Sequence, residues 1–241
     1  MASDVVRGSW PEYPGFVSLM NMKKVFLLLV LVIALALPGA RAALLGTYDF
    51  ATESAVPTTA GMTFGAFSRA NVTAAAVAGE FSSSAWTIAS SLDTAEYVQF
   101  TLTPSSGTIT FSSFSFFIDS HKANGGGNDG GPNDLAIRLF ASSDLSTVLA
   151  AQTYTGVQDT RQTLTFDPAD QTSAAGFTIR LYGWNAENAS GALSFDNVAV
   201  DGSLSAVPEP ANVALLVFGV AALGVWTGRR WFRRVNRTVR W

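Results

Sequence analysis

The sequence has no cysteine and a single histidine, His121, and these two scarcities remove most common catalytic and metal chemistries at once. Without cysteine there is no disulfide framework, no thiol nucleophile and no cysteine zinc site, so stability must come from the core alone. One histidine excludes a multi-histidine metal centre. It also leaves His121 as the only base for a Ser-His-Asp arrangement, and the glycine-rich stretch Lys122 to Pro132 beside it is unsuited to rigid placement of a base. Positive charge is scarce as well. Residues 43–206 hold 5 Lys and Arg (Arg69, Lys122, Arg138, Arg161, Arg180) against 15 Asp and Glu, a net −10 that the whole-chain value of −3 conceals. Nucleic-acid binding needs basic surface to displace counterions from phosphate, so a nucleic-acid partner is excluded. The same acidity permits divalent cations and aids solubility.

Long apolar runs are few: there are two, one towards each end, and charge flanks both. Met22-Lys23-Lys24 precedes the thirteen apolar residues Val25 to Leu37, and Pro38-Gly39-Ala40-Arg41-Ala42 then supplies a small-x-small cleavage pattern. This predicts a signal helix cleaved after Ala42. Met22 reads as the true start, because residues 1–21, with Trp10, Pro11 and Pro14, resemble neither a charged n-region nor a folded element. Thirteen residues are too few for an uncleaved anchor.

The second run, Ala211 to Gly228, is uncharged over 18 residues. At a helical rise of roughly 1.5 Å it reaches about 27 Å, which predicts one transmembrane helix over 211–228. Arginines at 229, 230, 233, 234, 237 and 240 follow directly and favour a cytoplasmic C-terminus, with Trp226 and Trp231 where an interfacial aromatic belt would lie. The alternative, a core helix at the end of a soluble domain, would have a 13-residue tail with six arginines as its neighbour. In front of the run stands Val207-Pro208-Glu209-Pro210. The two prolines fix φ on either side of Glu209 and remove two backbone donors, leaving an extended, exposed handle on the outer side.

The chain therefore divides into a leader and signal peptide (1–42), an ectodomain (43–206) and a tail (207–241). The ectodomain is 164 residues long and carries thirteen of the seventeen phenylalanines; a chain of that size buries roughly 68–70% of its unfolded surface. Its dominant period is two. Val98, Phe100 and Leu102 alternate in one run, Leu135, Ile137 and Leu139 in a second, and Phe177, Ile179 and Leu181 in a third, as in half-buried antiparallel strands. Further strands are expected over Gly46 to Ala51, Met62 to Phe67, Thr108 to Asp119, Thr147 to Tyr154, Gln162 to Phe166 and Ala192 to Asp201, with Thr73 to Ala78 as the one helical turn. About nine strands at this spacing predict an all-β fold, an antiparallel β-sandwich that is jelly-roll-like.

Two strands change parity partway. Ile109 and Phe111 share one phase and Phe114, Phe116 and Ile118 the other, which predicts an extra residue near Ser112-Ser113. Leu193 and Phe195 likewise give way to Val198 and Val200 across Asp196-Asn197. Each switch is either a β-bulge or a stretch buried on both faces.

Val-Pro-Glu-Pro, one short span and a terminal arginine cluster together resemble the PEP-CTERM sorting signal of Gram-negative bacteria. Members of that family are exported, are recognised at the Pro-Glu-Pro element by an exosortase, and are often linked to extracellular polysaccharide. The resemblance implies that Pro208, Glu209 and Pro210 are the recognition element and that Arg229 and Arg230 are the stop-transfer charges. It implies an exosortase-type sorting enzyme as partner, a membrane-anchored precursor, and a final place at the cell surface or in the extracellular matrix. The ectodomain resembles the short β-rich domains that precede such tails, through Tyr48-Asp49-Phe50, Phe177 to Trp184, and Phe195-Asp196-Asn197-Val198. Those domains mostly lack an assigned activity.

Two constellations stand out within the ectodomain. Asp119, Asn124, Asn128, Asp129, Asn133 and Asp134 surround Gly125–Gly127 and Gly130-Gly131, an oxygen-rich loop that suits either calcium or a solvated hairpin. Asp196, beside a predicted bulge, is a separate calcium candidate by analogy with lectin-like jelly rolls. No cofactor is required. Arg180, Tyr182 and Trp184 alternate with Phe177, Ile179 and Leu181 and so share one face, either as a sugar-binding platform or as second-face packing under a loop. Trp86 is expected in the core. Glycoside hydrolysis needs two carboxylates at a defined separation; Glu53, Glu80, Glu96 and Glu187 are available, but no spacing pairs them on one strand face. The ectodomain is thus expected to be a carbohydrate-binding or structural module rather than an enzyme, with a secreted polysaccharide-active enzyme as the alternative.

Overall fold

The computed structural model describes residues 42–51, 56–122, 130–157 and 161–205, together with residues 218, 219, 221, 222, 225, 226 and 229, which are helical. Residues 1–41, the Pro208-Glu209-Pro210 segment, Arg230 and most of 211–228 lie outside the described residues. Among those described, no helix is long and apolar enough to cross a membrane.

The described residues from 43 to 205 form an all-β sandwich of two antiparallel sheets, as the period-two pattern predicts. Its strands are β1 (Ala43–Tyr48), β2 (Thr58–Thr59), β3 (Met62–Phe64), β4 (Ser68–Ala70), β5 (Thr73–Ala74), β6 (Phe81–Ser84), β7 (Tyr97–Pro104), β8 (Thr108–Lys122), β9 (Pro132–Ala141), β10 (Asp144–Thr155), β11 (Gln162–Phe166), β12 (Gln171–Ser173), β13 (Phe177–Ala186) and β14 (Gly191–Ser205). The first sheet runs β11-β8-β14-β6-β5, with β1 also on β14 and β12 also on β8. The second runs β10-β9-β13-β7-β3-β2, with β4 also on β7. The chain alternates between sheets from β7 to β9 and closes by pairing β1 against β14.

Between the sheets lies a core dominated by aromatic rings. Tyr48, Phe50, Phe81, Phe100, Phe111, Phe114, Phe116, Phe166, Phe177, Phe195 and Trp86 are all fully buried. Phe67 stacks on Phe100 at 4.6 Å between centroids, and Phe114 stacks on Phe116 at 5.1 Å. Each such ring contributes roughly 1.5–3 kcal/mol through removal from water, and offset or edge-on contacts add to that. Tyr48 is placed as a ring with a polar handle, its hydroxyl donating to the Gly65 carbonyl at 2.8 Å.

Both parity switches are β-bulges. On β8, Ser113 lies opposite Asp201 and Phe111 opposite Gly202, leaving Ser112 as the extra residue. On β14, Asp196 lies opposite Phe117 and Ala199 opposite Ser115, so three steps on one strand match two on the other. Asn197 takes a left-handed φ of 48° there, which asparagine tolerates better than most residues. The bulges keep Ile109, Phe111, Phe114, Phe116 and Ile118, and equally Leu193, Phe195, Val198 and Val200, in one continuous core. At the switch points themselves Ser112, Ser113 and Asp196 are half-buried and Asn197 is exposed, so burial on both faces does not describe them.

One local expectation is overturned. Thr73 to Ala78 is not a helical turn: Thr73 and Ala74 form β5 and pair with Ser84 and Ser83 of β6. Ala75 continues the ladder by donating to the Ser82 carbonyl at 3.0 Å. The alanines favour helix locally, but β6 offers an unpaired sheet edge and Gly79, at a φ of 78°, closes the hairpin. The helical preference is worth only tenths of a kcal/mol per residue, less than a run of ladder hydrogen bonds.

Candidate functional site

The second sheet turns Leu135, Ile137 and Leu139 of β9, Ile179 and Leu181 of β13, and Val98 and Phe100 of β7 into the core. Strict alternation then sends Ala136, Arg138 and Phe140, Thr178, Arg180, Tyr182 and Trp184, and Tyr97 and Gln99 to the outer face. The register arranges them in rows across the three central strands. Trp184 lies opposite Asp134, Tyr182 opposite Ala136, Arg180 opposite both Arg138 and Gln99, and Thr178 opposite Phe140.

Arg180, Tyr182 and Trp184 share this face as expected, but the three are not an open row of rings. Tyr182 is 1% exposed and Trp184 8%, packed with Ala136, Leu92 and Tyr97. The segment leading into β7 brings Leu92 and Tyr97 across them, so the packing alternative describes these two rings and the exposed-ring platform is corrected. Arg180 instead lies half-exposed on top. Its guanidinium sits 4.4 Å from the Tyr97 ring centroid and 5.0 Å from that of Phe140, and its Nε donates to Gln99 Oε1 at 3.1 Å. Arg138 covers the Tyr182 ring at 5.2 Å, and Tyr97 tilts against Tyr182 at 5.6 Å. Burial raises the pKa of the Tyr182 hydroxyl, against the weaker opposing pull of a hydrogen bond from Arg180 and of the Arg180 and Arg138 charges.

A layered patch results. Tyr182, Trp184 and Phe140 form a buried floor, and Arg138, Arg180, Tyr97 and Gln99 form its half-exposed upper surface. Planar guanidinium and phenol groups with a side-chain amide suit a ligand that has both flat apolar faces and many hydroxyls. Sequence reasoning missed Tyr97, Gln99, Arg138 and Phe140. Each alternates with a residue correctly assigned inward, so its face was readable, whereas the lateral order β9-β13-β7 that brings the four together was not.

The calcium candidates are dispersed. Asp119 is on β8 in the first sheet, opposite Ser194, while Asp134 is on β9 in the second, where its Oδ2 accepts from Asn185 Nδ2 at 3.0 Å. Asp129 lies outside the described residues. Asp196 pairs with the Arg161 guanidinium, which also meets Glu80 Oε1 at 3.2 Å, and it accepts from Asn197 as well. Asp196 thus already has a cationic partner in the Arg161 guanidinium. Among the described residues, no group of three or more His, Cys, Asp or Glu side chains is placed to hold a metal ion.

Neither do the catalytic candidates converge. His121 Nε2 lies 2.6 Å from Ser194 Oγ, but the two residues are 6% and 1% exposed, and Ser82, opposite Ser194, is equally buried. Of the glutamates, Glu80 is held by Arg161, and Glu96 accepts from the Thr87 amide at 2.6 Å. Glu96 has its pKa raised, mainly by burial and against the pull of that amide. Glu53 lies outside the described residues. Trp86 is in the core as expected, donating from Nε1 to the Ser83 carbonyl at 2.7 Å.

No protein-family model matches the chain, and no curated protein matches it. Among solved structures it is similar to family 29 carbohydrate-binding modules. A point mutant of CBM29-2 is 16% identical, covering 68% of this chain and 93% of that one at a TM-score of 0.39. A second mutant, complexed with cellulohexaose, is 15% identical, covering 67% and 91%, again at 0.39. A further family 29 module is 14% identical, covering 68% and 89%, also at 0.39. Likeness this slight carries no argument about what the present chain binds.

Proposed function

We propose that the chain is an exported cell-surface or extracellular-matrix protein whose ectodomain is a carbohydrate-binding module, with the outer face of the second sheet as its binding surface. The observation that carries this reading is the layered patch. Half-exposed Tyr97, Gln99, Arg138 and Arg180 lie over the buried rings of Tyr182, Trp184 and Phe140. A rigid sheet with locked rotamers holds stacking and hydrogen-bonding groups in place before ligand arrives, which lowers the ordering cost of binding. Of the four rings of the patch Tyr97 alone is not buried, and with the Arg180 guanidinium over it the two together present the part of the surface a sugar would meet. Binding without catalysis is favoured because Glu80 and Glu96 already have partners that hold them in place.

The test is affinity electrophoresis of the full chain in mild detergent against immobilised polysaccharides, comparing the native protein with Tyr97→Ala. Retardation by at least one polymer, reduced about tenfold or more in the variant, is expected, since sugar stacking on one ring is of the order of 1–2 kcal/mol. No retardation by any of them, or release of shortened product from a bound one, would overturn the reading.

Delivery follows from the chain ends. The leader to Ala42 directs export, an exosortase-type sorting enzyme recognises Pro208-Glu209-Pro210, and Arg229 and Arg230 hold the helix of the precursor in the membrane until processing. Mass spectrometry of the mature protein from a Gram-negative host with such an enzyme should find a start at Ala43 and loss of the residues beyond the handle. An intact Trp241 in the matrix fraction would count against it.

A further inference from the structure

We propose that the Arg138 and Arg180 pair makes this face selective for acidic polysaccharide, reading the carboxylates of uronate-type sugars. The inference rests on the carbohydrate-binding reading above and names its ligand class.

Arg138 and Arg180 lie directly opposite one another on adjacent strands. Like charges in that relation destabilise a sheet unless something answers them. Arg161, by contrast, is answered by both Glu80 and Asp196. Neither Arg138 nor Arg180 has a carboxylate partner among the described residues, although the ectodomain has three acidic residues for each basic one. The carboxylates closest in the register are engaged elsewhere, Asp134 with Asn185 and, at the foot of β7, Glu96 with the Thr87 amide. An acidic domain has therefore placed two of its five cations side by side and left both without a counter-ion among the described residues.

Their setting favours an external one. The Arg180 guanidinium is held by Gln99 through Nε, lies 4.4 Å and 5.0 Å from the Tyr97 and Phe140 ring centroids, and also reaches the Tyr182 hydroxyl, which fixes the plane of the half-buried fork. Ala151 lies opposite Arg138 on β10 and is too short to cover it. A pre-oriented planar fork binds a carboxylate through two parallel charge-assisted hydrogen bonds, roughly twice as strong as neutral ones. Cross-strand neighbours have Cβ atoms about 5 Å apart, so both forks are within reach of one sugar or of two in sequence. The rest of the domain is acidic, but at physiological salt its repulsion is screened beyond about 8 Å, whereas contact pairs on the patch are screened much less.

The test compares binding of the full chain, in mild detergent, to polygalacturonate and to the same polymer after reduction of its carboxyl groups, with native protein and with Arg138→Gln/Arg180→Gln. The arginine-rich tail is common to both proteins, so only their difference reports on the sheet face. Native protein should bind polygalacturonate at least about tenfold more tightly than the reduced polymer, and the double variant should lose that preference while keeping its native melting transition. Arg161→Gln, which breaks an ion pair away from the patch, should retain it. Equal binding of both polymers by native protein would overturn the proposal and leave the carbohydrate reading standing. An undiminished preference in the double variant would assign it to the tail and equally overturn the proposal. Failure of both these polymers and of every neutral polysaccharide to bind would remove both.

Discussion

Deleting a single serine from β8 should have opposite consequences at two positions three residues apart. Ser112 is the extra residue of the bulge, and the ladder partners on either side, Phe111 with Gly202 and Ser113 with Asp201, bracket it. On the other edge, β11 ends at Phe166 opposite Phe114 and β12 begins at Gln171 opposite Phe111, so Ser112 has no ladder partner there either. Removing it joins the two halves of the strand in simple alternation, with Ile109, Phe111, Phe114, Phe116 and Ile118 still facing the core. The cost is a small change of twist and a shift absorbed by the link from Asp167 to Asp170. Deleting Ser115 instead brings Phe114 and Phe116 next to each other, so they cannot both face inward. The least damaging response straightens the bulge and turns only Phe114 out. That ring is fully buried against Phe100, Phe111, Phe116 and Phe166, and its loss is worth about 3–5 kcal/mol. At roughly 2–4 °C per kcal/mol for a domain of this size, the Ser115 deletion should melt roughly 6–20 °C below the Ser112 deletion in near-ultraviolet circular dichroism. Equal losses, or a greater loss for Ser112, would show that the parity argument misplaces the bulge.

Two further outcomes follow from local geometry. Gly176 has a φ of 86°, and an added Cβ would lie 2.0 Å from the Leu102 carbonyl oxygen, whereas Gly156, at 70°, faces open space. Chemical denaturation should therefore find Gly176→Ala the more destabilising by about 2 kcal/mol or more, since Gly156→Ala carries only a backbone penalty of roughly 1–2 kcal/mol. Burial also raises the pKa of the Tyr48 phenol far above its usual value of 10. A raised folded-state pKa means that its stabilising contribution is complete below about pH 10, the unfolded value, and is lost as the pH rises from there towards the folded one. Tyr48→Phe should lose about 1–2 kcal/mol at pH 7, because the Gly65 carbonyl loses its donor, yet show a shallower fall in melting temperature between pH 10 and 12. Parallel pH profiles for the two proteins would show that Tyr48 does not govern alkaline unfolding.

Legibility in the sequence followed how local the controlling physics is. Gln162–Phe166 is the strand expected, residue for residue, because alternation and flanking turns are local. Both bulges were visible in the parity of β8 and β14. The strand β6 was not, because Phe-Ser-Ser-Ser resembles a loop and becomes a strand only when β14 supplies its partner at Ala192 to Phe195. Thr73 to Ala78 misled for the same reason. At the candidate site, the face occupied by Arg180, Tyr182 and Trp184 was readable, but their exposure was not, since Leu92 and Tyr97, which cover the rings, are remote from them in the chain.

Sequence alone settled the sandwich class and the inward-facing residues, because an apolar period of two admits one buried face and a misplaced register would expose it. The expectation of export and sorting also rests there, on charge and hydropathy at the two ends. Lateral strand order is a property of long-range pairing, and no residue's neighbours in sequence encode it. The three-dimensional arrangement therefore assigned Asp196 to Arg161, buried Tyr182 and Trp184, and set Arg138 against Arg180 with no counter-ion among the described residues.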